Sequence, residues 1–195
     1  MLQDRVYTST FDVDVAINAV LYIAQRLDTP TFHSVSKLLY FADKYHLEHY
    51  GSFIYGDSYI AMHHGPVPSG VYDLLKAVKG VMLTSDPALV ETFSAHLDVH
   101  NGYHVKPKHD ADVDYLSDAS IASLDYALAH YGTLSFQALT DLSHDDAYHA
   151  AGDNDIIDIE SIARTFDNSE LLLEYLRDPY PDDDPDDHDE VTARA

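Results

Sequence analysis

The sequence predicts a mainly α fold: a compact helical domain with a small β-hairpin insertion and a disordered acidic C-terminal tail. Three observations carry this. Apolar residues recur at helical spacing in five separate segments, several of them opened by a Ser or Thr cap and several closed by a glycine. A single stretch, Ala95–Lys108, alternates instead around Asn101-Gly102, the favoured two-residue turn of a hairpin. From Asp178 onward, Pro179, Pro181 and Pro185 interleave with eight acidic residues, a composition that buries too little surface to offset ordering.

Taken in order, Val13, Ile17, Val20, Leu21, Ala24 and Leu27 form the first helical stripe, and Asp28-Thr29-Pro30 stops it. Thr31 is a candidate N-cap for a second helix that carries Val35, Leu38, Leu39, Ala42 and Tyr45 on one side and ends at Gly51. Phe53–Met62 reads as loop or short strand around the Tyr55-Gly56-Asp57 turn. His63-His64-Gly65-Pro66-Val67-Pro68 cannot be helix interior, because each proline removes a donor and restricts the residue before it. Pro68 or Ser69 opens a third helix with Val71, Leu74, Leu75 and Val78 inward; Lys76 and Lys79 suit its C-terminal dipole, and Gly80 closes it. In the hairpin, Leu97, Val99, Tyr103 and Val105 are the side chains to bury. Ser117 caps a helix with Ile121, Leu124, Leu128 and Tyr131, ended by Gly132. Ser135 caps another with Phe136, Leu139 and Leu142, and two short helices follow at Asp158–Phe166 and Ser169–Arg177. The expected division is one domain over residues 1–177 and a tail over 178–195.

Composition narrows the function. Asp and Glu outnumber Lys and Arg by 34 to 11, a formal charge of −23. The tail accounts for −7 of it, so the rest of the chain stays near −16. Such a surface repels phosphates, so no direct nucleic-acid binding is expected, and it attracts a basic protein. There is no cysteine, in keeping with a reducing cytoplasm and against thiolate metal sites. Met1–Thr10 lacks the apolar core of a signal peptide, and Val13–Ala24 is too short and too polar to cross a bilayer, so no membrane association is expected.

Thirteen histidines invite a metal reading. His46 and His49, three apart on a helix, with Asp43 one turn earlier and His63 downstream, have ligand chemistry that suits zinc. No closed ligand pattern, nucleophile elbow or phosphate loop accompanies them, so the expectation is no metal, no cofactor and no catalytic site. Six of the fifteen tyrosines, from Tyr40 to Tyr72, crowd into 33 residues; tyrosine serves both core edges and interfaces.

The run Lys37-Leu38-Leu39-Tyr40-Phe41-Ala42-Asp43-Lys44-Tyr45-His46-Leu47 is distinctive. Tyr50-Gly51, Gly56-Asp57-Ser58-Tyr59-Ile60-Ala61, Gly65-Pro66-Val67-Pro68-Ser69 and Val71-Tyr72-Asp73-Leu74-Leu75 follow it in order. Tyr131-Gly132, Leu134-Ser135 and Leu142-Ser143-His144 come later, with Tyr148 where an aromatic, commonly Trp, is usual. Over roughly Asp12–Ala151 this set resembles the Panacea domain, the SocA-like or GepA-like antitoxin family. The resemblance implies an antitoxin of a bacterial or phage toxin–antitoxin module that neutralises its toxin by direct protein contact, without enzymatic activity. The implied partners are a cognate toxin, such as a small alarmone synthetase or another translation-blocking toxin, and a ClpXP-type protease. Candidate partner contacts are Tyr40, Asp43, His46, Tyr59, His63, His64 and Tyr72, and candidate scaffold residues are Gly56, Asp57, Gly65, Pro66, Pro68 and His144. Asp43, His46, His63, His64 and Tyr72 are expected to line one polar groove beside the rigid Gly-Pro-Val-Pro connector, whose pre-set shape lowers the ordering cost of binding. Two other readings of the residues stand beside this: an acidic DNA mimic that inhibits a nuclease or restriction enzyme, and a metal-dependent enzyme using Asp43, His46, His49 or His63.

Overall fold

A computed structural model describes residues 10–82, 86–100, 102–167 and 169–178. The segment 1–9 searched for a leader, Asn101 of the hairpin turn and the acidic tail from 179 lie outside the described residues.

Two long helices set the frame. α1 (Val13–Ala24) starts where the Asp12 carboxylate accepts the Asp14 and Val15 N–H groups, each at 3.1 Å. It was expected to be amphipathic, yet every residue from Ala16 to Ala24 is buried. Helices and strands surround it, and the one polar intruder, Asn18, is satisfied: its Oδ1 accepts the Asp112 N–H and its Nδ2 donates to the Asp14 carbonyl. α2 (Phe32–Tyr50) packs beside it. Thr31 and Ser34 form a reciprocal capping box, and Gly51 ends the helix with φ +77°, a left-handed conformation that costs glycine nothing.

The loop after α2 leads into a β-hairpin, β1 (Tyr59–Met62) and β2 (Gly65–Pro68), turned at His63-His64. β5 (Ile156–Ile157) pairs with the other side of β1, so the sheet order is β2-β1-β5. This order explains how two prolines fit a strand: β2 is an edge, where a missing N–H breaks no ladder. α3 (Ser69–Val78) follows directly, and Pro68 gives it no side-chain cap. Asp57 caps it from a distance instead, accepting the Gly70 and Val71 N–H groups at 2.8 and 2.9 Å.

α4 (Pro87–His96) was not anticipated and takes in Ala95 and His96, which the sequence assigned to the hairpin. The hairpin itself forms as β3 (Leu97–His100) and β4 (His104–Pro107). Tyr103 was expected inside but sits in the turn at φ +64° and is 45% exposed, its ring edge against Phe32. α5 (Asp118–Tyr131) and α6 (Phe136–Ser143) begin at the Ser117 and Ser135 caps as read from sequence. Phe136 and Leu142, read as inward, are each 51% exposed; α6 presents them to solvent while Leu139 enters the core. α7 (Asp146–Ala150), α8 (Ile159–Ala163) and α9 (Ser169–Arg177) complete the described chain. Among the described residues the protein is mainly helical with minor β structure, and no helix is long and apolar enough to cross a membrane.

Candidate functional site

The motif residues converge on the β1–β2 hairpin from behind. Lys37, fully buried on α2, donates to the Pro66 carbonyl at 2.6 Å, and burial lowers its pKa to about 7. Gly65 has φ +90°, and a Cβ there would lie 2.5 Å from Ser143 Oγ, 2.9 Å from Lys37 Nζ and 3.0 Å from the His144 ring. Only glycine lets the strand come this close. His144 stacks flat on Tyr148 at 4.1 Å, and the Tyr148 hydroxyl donates to the Met62 carbonyl. The two motif stretches, far apart in sequence, therefore grip one hairpin.

Asp145 ties the same parts together. Its carboxylate accepts the Tyr40 hydroxyl at 2.9 Å, the Lys44 ammonium at 2.6 Å and the Tyr148 N–H at 3.0 Å. Asp43 is wholly buried; its oxygens accept the Ile54 N–H at 2.7 Å and the Tyr59 hydroxyl at 2.6 Å. Burial pushes its pKa up to about 7. Burial also raises Asp57, which follows Gly56 at φ +73° and accepts the Ser58, Gly70 and Val71 N–H groups.

The expected contact residues thus part company. Tyr40, Asp43, His46 and Tyr59 are interior, with polar groups bonded inside the fold; His46 Nδ1–H donates to the Ser52 carbonyl at 2.7 Å, and burial lowers its pKa. His63, His64 and Tyr72 instead line one groove of about 400 Å³. It is not the polar groove expected: Phe32, Met62 and Val67 form much of its lining, and Tyr103 and Phe136 stand at its rim. His33 stacks on Phe136 at 3.8 Å, and His64 meets that ring edge-on at 5.3 Å. Burial, then the nearby Lys37, lowers the His33 pKa to about 4, so His33 is neutral at neutral pH. Pro66 and Pro68 hold β2 behind this lining.

Sequence reasoning missed His33, Tyr103 and Phe136 as groove residues. Position after a cap gave no signal: Phe136 follows Ser135 and is 51% exposed, whereas Phe32 follows Thr31 and is buried. The metal candidates do not assemble. The Asp43 oxygens are engaged inside the core, His49 Nδ1–H donates to the Tyr45 carbonyl, and His63 is on the distant hairpin turn. Among the described residues no three His, Asp or Glu side chains group as metal ligands.

The chain was also compared with known proteins. A model of the family described as "Antitoxin SocA-like, Panacea domain" matches residues 35–149, a span that runs from early α2 through the His144–Tyr148 stack. No curated protein and no solved structure matches the chain. The matched span contains the hairpin and both motif stretches that hold it, and antitoxin membership points to a non-enzymatic role. The chain belongs to the SocA-like antitoxin family, that of the Panacea domain, and has the general antitoxin role that the family carries.

Proposed function

We propose that this antitoxin neutralises its toxin by direct protein–protein contact, and that the groove between α2, the β1–β2 turn, α3 and α6 receives an apolar anchor side chain of the toxin. The carrying observation is the contrast between this groove and the rest of the molecule. None of the described residues lining it is acidic, in a chain with 34 acidic residues, and it sets half-exposed Phe136 and Tyr103 beside a lined depression. Binding energy concentrates in such desolvated aromatic pockets, while surrounding charge steers the encounter. The grip of Lys37, Ser143 and His144 on the hairpin keeps the groove wall in place before a partner arrives, which lowers the ordering cost.

In this reading residues 1–177 form the binding unit, the segment 178–195 adds charge, and the protein acts in the cytoplasm on a toxin encoded beside it. The test is co-expression with each flanking gene. One flanking product should arrest growth alone and be harmless with this protein. The double substitution Phe136→Ala and Tyr103→Ala should abolish rescue while the melting temperature moves little, because both rings are half-exposed. Rescue that survives the double substitution removes the groove from the interface, and two flanking products without toxicity or rescue remove the reading altogether.

A further inference from the structure

A second cavity, of about 290 Å³, opens at the other end of α2, between α2, α5 and the segment after α8. Its walls are aromatic. Phe41 stacks on Tyr131 at 4.0 Å and Tyr45 on Tyr126 at 4.1 Å, and Phe166 closes one side. These stacks fix the rings in place, so the cavity is built before anything enters it.

Four charged side chains reach this cavity, and two of them cancel. The Lys44 ammonium is bound to Asp145 at 2.6 Å and lies 5.8 Å from the centre of the Phe166 ring, so one cation already rests near this wall. Glu48 and Asp167 remain. Glu48 comes no nearer to a basic group than 4.0 Å, to His49 on its own helix, and Asp167 has no ion pair or hydrogen bond with any described residue. Two carboxylates without a cation stand at the mouth of an aromatic chamber.

We infer that this cavity receives an arginine side chain of a protein partner, its guanidinium held by Glu48 and Asp167 against the aromatic wall. A guanidinium suits the site better than an ammonium or a metal ion. It is planar and weakly hydrated, so it lies against rings and still donates to two carboxylates at once. A metal would want a third ligand, and no group of three forms among the described residues. A protein supplies the arginine because the chain carries −23 and attracts basic surfaces. That the partner is the toxin rests on the function proposed above; the chemistry of the cavity does not.

The probe is a capped Gly-Arg-Gly peptide, with the citrulline peptide as its uncharged twin, titrated into the full chain and followed by NMR of the aromatic rings. The arginine peptide should shift Tyr45, Tyr126 and Tyr131 saturably. The citrulline peptide, and the Glu48→Gln plus Asp167→Asn variant, should weaken the response at least about tenfold. Both carboxylates are exposed, so that variant should melt like the parent. Equal responses to the two peptides, or shifts confined to other rings, overturn the inference. The toxin identified by growth rescue gives the second arm: the same variant should bind it about tenfold more weakly. Rescue with unchanged affinity and no peptide response removes the cavity and leaves the antitoxin reading standing. A saturable, arginine-specific response without rescue by either neighbour upholds the cavity and removes the toxin as its occupant.

Discussion

Asp43 and Lys37 are six positions apart on α2, both buried, and among the described residues no opposite charge is within hydrogen-bonding reach of either. Each therefore makes stability depend on pH, with opposite signs. Asp43 has a pKa near 7 in the folded protein against an ordinary 3.8. Between those values the native state holds a proton that the unfolded chain releases, so stability falls as pH rises from about 4 to 7 and levels off above. Lys37 near 7 against 10.5 does the reverse: stability gains as pH rises from 7 to 10.5. His33, lowered to about 4, opposes Asp43 over pH 4 to 6.5. Asp43→Asn isolates the first effect, because the amide keeps an oxygen for the Ile54 N–H and offers the Tyr59 hydroxyl a donor in place of an acceptor. We expect urea unfolding at pH 5 and pH 8 to show the variant gaining on the parent as pH rises, by roughly 3 kcal/mol for the two units between pH 5 and the plateau at 7. Parallel pH curves would show that Asp43 does not titrate in this window. Sequence could not reveal this. Both residues lie in a helical run, and whether a carboxylate there faces water or Tyr59 depends on a strand sixteen residues away.

At the scale of elements, the β1–β2 hairpin is the most constrained piece, and Gly65 and Gly80 allow a controlled comparison. Both have positive φ, +90° and +76°, so alanine is strained at either. A Cβ at Gly80 meets nothing within 4 Å, whereas at Gly65 it meets Ser143, Lys37 and His144. We expect Gly80→Ala to cost about 1 kcal/mol and Gly65→Ala about 3 kcal/mol, with loss of toxin neutralisation for the second alone. Equal costs, read by thermal or urea melts, would mean the hairpin yields without effort. The remote cap is a second handle: Asp57→Ala removes the acceptor for two N–H groups of α3 and should cost about 2 kcal/mol. The long helices with side-chain caps were legible, because Thr31, Ser117 and Ser135 act within a turn of themselves. α3 was legible from its stripe, but its cap was not, since Asp57 lies eleven residues before Pro68. α7 and β5 were missed because they are short and owe their form to neighbours: Ile156 and Ile157 are a strand only because β1 is beside them. α4 is as long as α3 and has the Asp86 cap, but it buries only Phe93 and so shows no apolar stripe. The groove was half legible. Tyr72 fell within a recognised motif and His63 and His64 between two of them, but Phe136 and Tyr103 came from segments read as packing surface.

Across the whole molecule, charge and contact surface separate. No described residue lining the groove is acidic while the chain carries −23, so in the function proposed attraction and recognition act through different residues. In the function proposed, long-range attraction speeds encounter and fades with salt, and the apolar anchor in the groove determines how long the complex lasts. Deleting 178–195 removes −7 of the charge and none of the described residues that line the groove or the cavity. We expect the truncated protein to neutralise the toxin, with a dissociation rate equal to the parent's and an association rate several-fold lower at low ionic strength. Raising the salt to about 0.5 M, where the screening length shrinks to a few ångströms, should bring the two association rates together. Phe136→Ala should do the opposite: it leaves the association rate and its salt dependence nearly unchanged and raises the dissociation rate. Stopped-flow mixing with the toxin at two ionic strengths separates these cases. A truncation that raises the dissociation rate as much as Phe136→Ala does would put part of the contact surface in residues 178–195. The division between attraction by the acidic chain and recognition by the groove would then fail.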